Sequence, residues 1–209
     1  MRNNLHLIDH PLVQHKLTVA RDKATSRVQF RTLLAEMTEL LVYESLGELR
    51  TEPVEVATPV DWADGRVLAE KVTLVPILRA GMGMLDGAMR LLPTARVGHL
   101  GVYRDQTTLE PVIYYNKLPP DVNESLVIML DAMLATGASC CTSVDILKRF
   151  GVRRLRVVCL VATDRAVDRM AREHPDVPVF AAAVDPTVMS DGRISPGLGD
   201  VGSRLFGTP

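Results

Sequence analysis

From Val72 onward, short apolar runs alternate with stretches whose apolar residues recur at helical spacing. Val72–Ile77, Val97–Val102, Leu126–Leu130, Leu155–Val161 and Val179–Ala183 have strand length, and Met82–Leu92 and Asp164–Glu173 have helical periodicity. Apolar runs without alternation suit strands buried on both faces. Helices between such strands predict an α/β fold, a mostly parallel sheet flanked by helices. The first third is patterned differently. His10-Pro11 opens a short helix bearing Leu12, Val13 and Leu17, and Ser26-x-x-Gln29 has the form of a capping box. Behind it Phe30, Leu33, Leu34, Met37, Leu40 and Leu41 form one apolar stripe. Pro53–Pro59 alternates briefly between prolines and predicts a short edge strand or flap segment. No repeat or linker interrupts the pattern, so residues 1–209 are expected to form a single domain.

Composition narrows the classes of function. Net charge is −1, which gives no bulk attraction to nucleic acid. The basic cluster Lys148, Arg149, Arg153, Arg154 and Arg156 follows a helix and complements its dipole. No apolar run approaches the ~20 residues of a membrane span, and the N-terminal residues lack a signal-peptide core. The odd cysteine count, with Cys140 and Cys141 adjacent and Cys159 apart, argues against a disulfide framework and for a reducing cytoplasm. The start of a helix can depress a thiol pKa, but packing is the expected role of Cys140 and Cys141. The five histidines show no metal-ligand spacing.

The chemistry concentrates in one stretch. Leu126–Leu130 ends at a single carboxylate, Asp131, followed by the small-residue turn Ala135-Thr136-Gly137-Ala138-Ser139 and a helix that Gly151 is placed to stop. A strand, an acid, a hydroxyl-and-glycine turn and a helix N-terminus present backbone N–H groups to an anion. No lysine follows Gly137, which excludes a Walker A loop. Gly197-Leu198-Gly199-Asp200-Val201-Gly202 matches G-x-G-x-x-G but ends seven residues from the last residue, so no helix and second strand can follow it. An acid suited to sugar hydroxyls beside a phosphate cradle predicts a ribose-5-phosphate site. Arg79, Arg104 and Thr163-Asp164 fall at other strand ends, where ligands of such sheets bind.

Asp131-Ala132-Met133-Leu134-Ala135-Thr136-Gly137-Ala138-Ser139 resembles the phosphoribosyl-pyrophosphate (PRPP) motif of type I phosphoribosyltransferases, and its M-L-A-T-G core resembles the uracil phosphoribosyltransferase family. The resemblance continues through His10-Pro11-Leu12-Val13, Pro76–Gly81, Tyr103-Arg104, Thr108–Val112 and Pro196–Asp200. It implies the type I fold with a small flap or hood, and transfer of phosphoribose from PRPP to uracil, giving UMP and pyrophosphate. It also implies that Arg79 and Arg104 hold pyrophosphate, with Arg104 on a cover that folds over it, and that Asp131 takes the ribose hydroxyls. Ala132, Met133 and Leu134 belong to the same PRPP site, Ala135, Thr136, Gly137, Ala138 and Ser139 wrap the 5-phosphate, and Asp200 lies near PRPP and its metal. Ile194, Gly199, Asp200 and Val201 read uracil. With one acid where relatives have two, Mg2+ is expected to be held mainly by PRPP, with Asp200 as a further ligand. A homodimer or larger homo-oligomer and GTP as activator are implied in the same way. The alternatives are a relative acting on another heterocyclic base, or a ligand-sensing regulator on the same scaffold.

The chain departs from the family pattern at several positions. Ala132 and Ala138 replace a proline and a glycine, Arg193 replaces a tyrosine, Ser195 an aliphatic residue and Val201 an alanine. Thr163-Asp164-Arg165-Ala166 stands where the family has A-P-E-G. Side-chain alternation puts Arg193 and Ser195 opposite Ile194, and the expected face is solvent.

Overall fold

The unbroken apolar runs become strands buried on both faces. The computed structural model describes residues 4–104 and 111–208, the side chains of Arg104 and Pro111 excepted. In chain order it begins with β1 (Leu5–Leu7), helices α1 (Pro11–Arg21) and α2 (Arg27–Ser45), and a hairpin of β2 (Thr51–Ala57) and β3 (Trp62–Leu68). Next come β4 (Val72–Leu78), α3 (Met82–Leu91), the two-residue β5 (Arg96–Val97), and β6 (His99–Arg104) paired with β7 (Pro111–Lys117). The second half contains β8 (Leu126–Leu130), β9 (Met133–Leu134), α4 (Ala138–Arg149), β10 (Arg154–Thr163), α5 (Asp164–Glu173) and β11 (Val179–Asp185). It closes with a small hairpin of β12 (Thr187–Val188) and β13 (Ile194–Ser195), and the short helix α6 (Val201–Phe206).

The main sheet runs β1-β11-β10-β8-β4-β6-β7, with β5 beside β4 and β9 beside β10. Its pairs are parallel except β6 with β7. From β4 the chain moves outward to β6, then returns to β8 on the other side and continues to β10 and β11. The order therefore reverses between β4 and β8. Such a switch point leaves a crevice beyond the carboxyl ends of the two strands, where ligands of open α/β sheets bind.

β8 shows why the sheet needs two covers. Ile128 and Leu130 join the core under α2 and α3 with Phe30, Leu34, Leu41 and Met84, while Val127 and Met129 face α4 and α5 with Val144, Leu147 and Met170. Val127, Ile128, Met129 and Leu130 are all fully buried, so each face contributes on the order of 2 kcal/mol per large side chain. Caps fix where the helices start. Ser26 Oγ accepts the Gln29 N–H, and Thr163 Oγ1 accepts the Ala166 N–H.

Two elements differ from the sequence pattern. The run Val97–Val102 is broken at Gly98 into β5 and β6. Pro53–Pro59 is not a lone strand: β2 pairs along its whole length with β3. That hairpin is exposed along most of its length, including Val56, Trp62, Val67 and Leu68. With no face packed on the body, nothing imposes the alternation that would reveal β3 in the sequence.

Candidate active site

Beyond β8 the backbone turns at Asp131, whose N–H donates to Val158 O at 3.1 Å, and re-enters the sheet edge as β9. The turn that follows reaches a left-handed Gly137 (φ 75°), a conformation β-carbon-bearing residues rarely adopt, and α4 begins one residue later. Thr163 at the end of β10 ties this turn down, its Oγ1 donating to Ala135 O at 2.5 Å. The first helical bond of α4 runs from Cys141 N–H to Gly137 O, so the N–H groups of Ser139 and Cys140 precede the helical ladder. A cavity of about 280 Å3 opens in front of them, lined by Asp131, by Met133 through Cys140, and by Asp191 and Gly192. Free N–H groups and the positive end of a twelve-residue helix favour an anion there.

Asp131 is partly open to this cavity but otherwise surrounded by the sheet end. Loss of hydration raises its carboxyl from 3.8 to about 7, against a smaller lowering by a backbone hydrogen bond at Met133. A carboxylate so placed gains strongly from a nearby cation or developing positive charge.

A second cavity, about 230 Å3, adjoins the first and shares Asp131, Met133, Ala135 and Gly192 with it. Its other wall consists of Arg193 and Ile194 on one side and Gly199, Asp200, Val201 and Gly202 on the other. Ile194 and Val201 are buried and present little beyond their edges and backbone. Asp200 caps α6, Oδ1 accepting the Ser203 N–H at 2.7 Å. Arg79, in the turn after β4, reaches along the start of α6. A β-carbon on Gly202 would lie 3.4 Å from Asp200 Oδ1 and 3.5 Å from Arg79 Nη2, so both groups crowd that point. Arg79 Nη1 also donates to Thr208 Oγ1 at 2.9 Å. The guanidinium is exposed beside the second cavity, whose lining includes its neighbour Ala80.

Most of the residues picked out from sequence thus converge on two joined cavities at the switch point. Ala132 does not line them: it is fully buried, and its carbonyl accepts N–H groups from Leu160 and Val161 at 3.2 Å. Arg104 ends β6 at the same edge of the sheet, but its side chain and the proposed cover at 105–110 lie outside the described residues. The expectation for Arg193 needs correction. It is exposed, yet it lines the second cavity, and its guanidinium is taken up by Asp191, with Nη2 2.5 Å and Nε 2.7 Å from Oδ2. Asp191 and Gly192 were missed altogether. The Asp-Gly pair ahead of Ile194 is a turn signal that could have pointed to them.

Burial overrides the helix-start effect on the thiols. Cys140 is held well above the usual thiol range and Cys141 is pushed up to about 12, both mainly by desolvation. Both sulfurs pack 3.5 Å from Met170 Sδ, as core residues do. Among the described residues no three or more His, Cys, Asp or Glu side chains converge as a metal site, and no helix is long and apolar enough to cross a membrane.

A lone acid beyond one central strand, a phosphate-type turn into the next helix and an arginine beyond the neighbouring strand define a phosphoribosyltransferase of the type I fold. A hypoxanthine phosphoribosyltransferase from Staphylococcus aureus shares that fold, with a TM-score of 0.52 at 14% identity over 86% of this chain and 83% of that one. The chain belongs to the uracil phosphoribosyltransferase family, whose family model matches residues 7–208. It is 52% identical over 203 residues to a uracil phosphoribosyltransferase of Symbiobacterium thermophilum, covering 97% of both chains. It is 49% identical to that of Dictyoglomus turgidum, covering 97% of this chain and 98% of the relative. The solved AQ2163 protein from Aquifex aeolicus superposes with a TM-score of 0.92 at 36% identity, covering 97% of both chains.

Proposed function

We propose that the chain transfers the 5-phosphoribosyl group of PRPP to uracil, releasing pyrophosphate and forming UMP. The observation that carries this is the pair of joined cavities meeting at Asp131, one fronted by a helix N-terminus and the other by glycine-rich backbone. In this reading the 5-phosphate lies against Ala135–Ser139, the ribose against Asp131, and pyrophosphate toward Arg79 and Arg104. Uracil lies among Ile194, Gly199, Asp200 and Val201. Leaving of pyrophosphate puts positive charge on the sugar and negative charge on the leaving group. Asp131 stabilises the first and the arginines the second, so positioning and fixed charge supply the catalysis without a covalent nucleophile.

Uracil presents two carbonyl acceptors and an N–H on its polar edge, which backbone amides and carbonyls can match. Arg193 is paired with Asp191, which offsets its positive charge beside the cavity and supports a neutral base over an anionic one. Mg2+ fits as an ion held mainly by the substrate: Asp131 and Asp200 supply few protein oxygens, and one of those of Asp200 already serves Ser203. When bound, the ion neutralises charge on the pyrophosphate oxygens. The exposed β2–β3 hairpin suits contact with a second copy in a homo-oligomer working in a reducing cytoplasm. Steady-state assay of the pure chain with PRPP, Mg2+ and uracil tests the proposal. UMP accumulating in step with pyrophosphate is the expected result, and pyrophosphate release without UMP contradicts it. Adding GTP to the same assay tests activation.

A further inference from the structure

The segment from Ile194 to Val201 is gripped from behind by two arginines that line neither cavity. Arg21, the last residue of α1, pairs with Asp185 at the end of β11: Nη1 lies 2.7 Å from Oδ2 and Nη2 lies 2.8 Å from Oδ1. The same pair takes both polar groups of Gly197. Its N–H donates to Asp185 Oδ2 and its carbonyl accepts from Arg21 Nη1, each at 2.8 Å. Gly197 is left-handed (φ 56°), and a β-carbon there would sit 2.2 Å from Ile194 O, so the loop folds tightly back on Ile194. Arg204 holds the next residue, Nη1 donating to Leu198 O at 2.8 Å and to Ala20 O at 2.6 Å. Its Nη2 donates to Asp22 O at 2.9 Å, and the guanidinium lies 3.8 Å over the Phe30 ring.

An exposed ion pair contributes little, but Asp185 is only 5% exposed and every bond here is charge-assisted. The bonds converge on the middle of the segment that reads the base through its backbone. Backbone recognition has no rotamers to adjust, so the direction of its N–H and C=O groups depends on how the loop is held. We infer that Arg21 and Asp185 are positioning residues for the nucleobase, setting the backbone of Ile194 and Gly199–Val201 without touching the ligand. This rests on the proposed transfer to uracil and deepens it.

Steady-state kinetics of the full chain with both substrates varied separates this role from a general structural one. Arg21→Ala is expected to raise KM for uracil about 10-fold or more and to leave KM for PRPP within about threefold, because the phosphate turn is anchored elsewhere. Arg21→Lys, which keeps one donor toward Asp185, is expected to show the same split at roughly a third of the size. If Arg21→Ala does not fold, Arg21→Lys carries the test. An unchanged uracil KM in a folded variant, or a parallel rise in both constants, overturns the inference while the transfer reading stands. A wild-type protein that fails to turn over uracil overturns the transfer reading, and the inference with it.

Discussion

Asp131→Asn should make the free protein more stable and the enzyme much slower, with a pH signature that identifies the cause. Burial raises the Asp131 carboxyl from 3.8 to about 7. That difference corresponds to about 4 kcal/mol of cost for the charged form, at about 1.4 kcal/mol per pK unit. The cavity in front of the group admits solvent, so we take about half, or about 2 kcal/mol. The sign follows from proton binding. Between 3.8 and about 7 the folded chain holds a proton that the unfolded chain has lost, so stability falls as pH rises through that window. Below it both states are protonated and no cost exists; above about 7 the cost is complete. Asparagine keeps the shape and cannot ionise. The Asp131→Asn variant should therefore match wild type near pH 4 and exceed it by about 4–8 °C in Tm at pH 8.5, without substrates. The same change should lower kcat/KM by at least ~10²-fold, since the charge opposite the developing sugar cation is gone. Thermal unfolding across pH 4 to 8.5, with activity measured in parallel, checks both. A Tm difference independent of pH, or a wild type more stable at pH 8.5, would refute the burial argument.

The same group should set the acid limb of the pH–rate profile. kcat/KM for PRPP should rise with pH to a plateau with an apparent pKa of about 7, and a flat profile from pH 5 to 9 would remove Asp131 from the chemistry. Arg104→Ala should lower turnover by about 10-fold or more with Tm nearly unchanged, consistent with a residue acting from a cover; lost stability with full activity per folded molecule would make it structural. Arg193→Tyr with Ser195→Ile should leave kcat/KM for uracil within about 30-fold of wild type, about 2 kcal/mol, because Arg193 is exposed and paired with Asp191, and the proposed base contacts are mainly backbone. A larger gain would show that the wild-type pocket is built for a different base.

The turn between β8 and α4, where the 5-phosphate is proposed to lie, was legible because its signals are local. A bounded apolar run, one acid, a turn of small residues and a helix fall within 25 residues, from Leu126 to Arg149 or so, and each carries its own physical mark. The part of the site proposed for the base is assembled at long range from pieces too short for periodicity. β12 and β13 have two residues each, yet their hairpin brings Asp191 and Arg193 over the cavities. Side-chain alternation correctly separated buried Ile194 from exposed Arg193, but it could not show that the exposed side here borders the second cavity. Arg21 at a helix end looks like an ordinary complement to the dipole, and Asp185 lies 164 residues away. Strand order was hidden for the same reason, since β1 joins the sheet beside β11.

A site that selects uracil and joins it to PRPP reveals itself in the identity of its product. Competition measures this most directly: pure protein, Mg2+, limiting PRPP and an equimolar mixture of uracil, cytosine, orotate, hypoxanthine and adenine, with the nucleotide products identified by mass spectrometry. UMP is expected as the dominant product, with PRPP consumed in equal amount. Any other nucleotide dominating the mixture, or PRPP left intact, would contradict it.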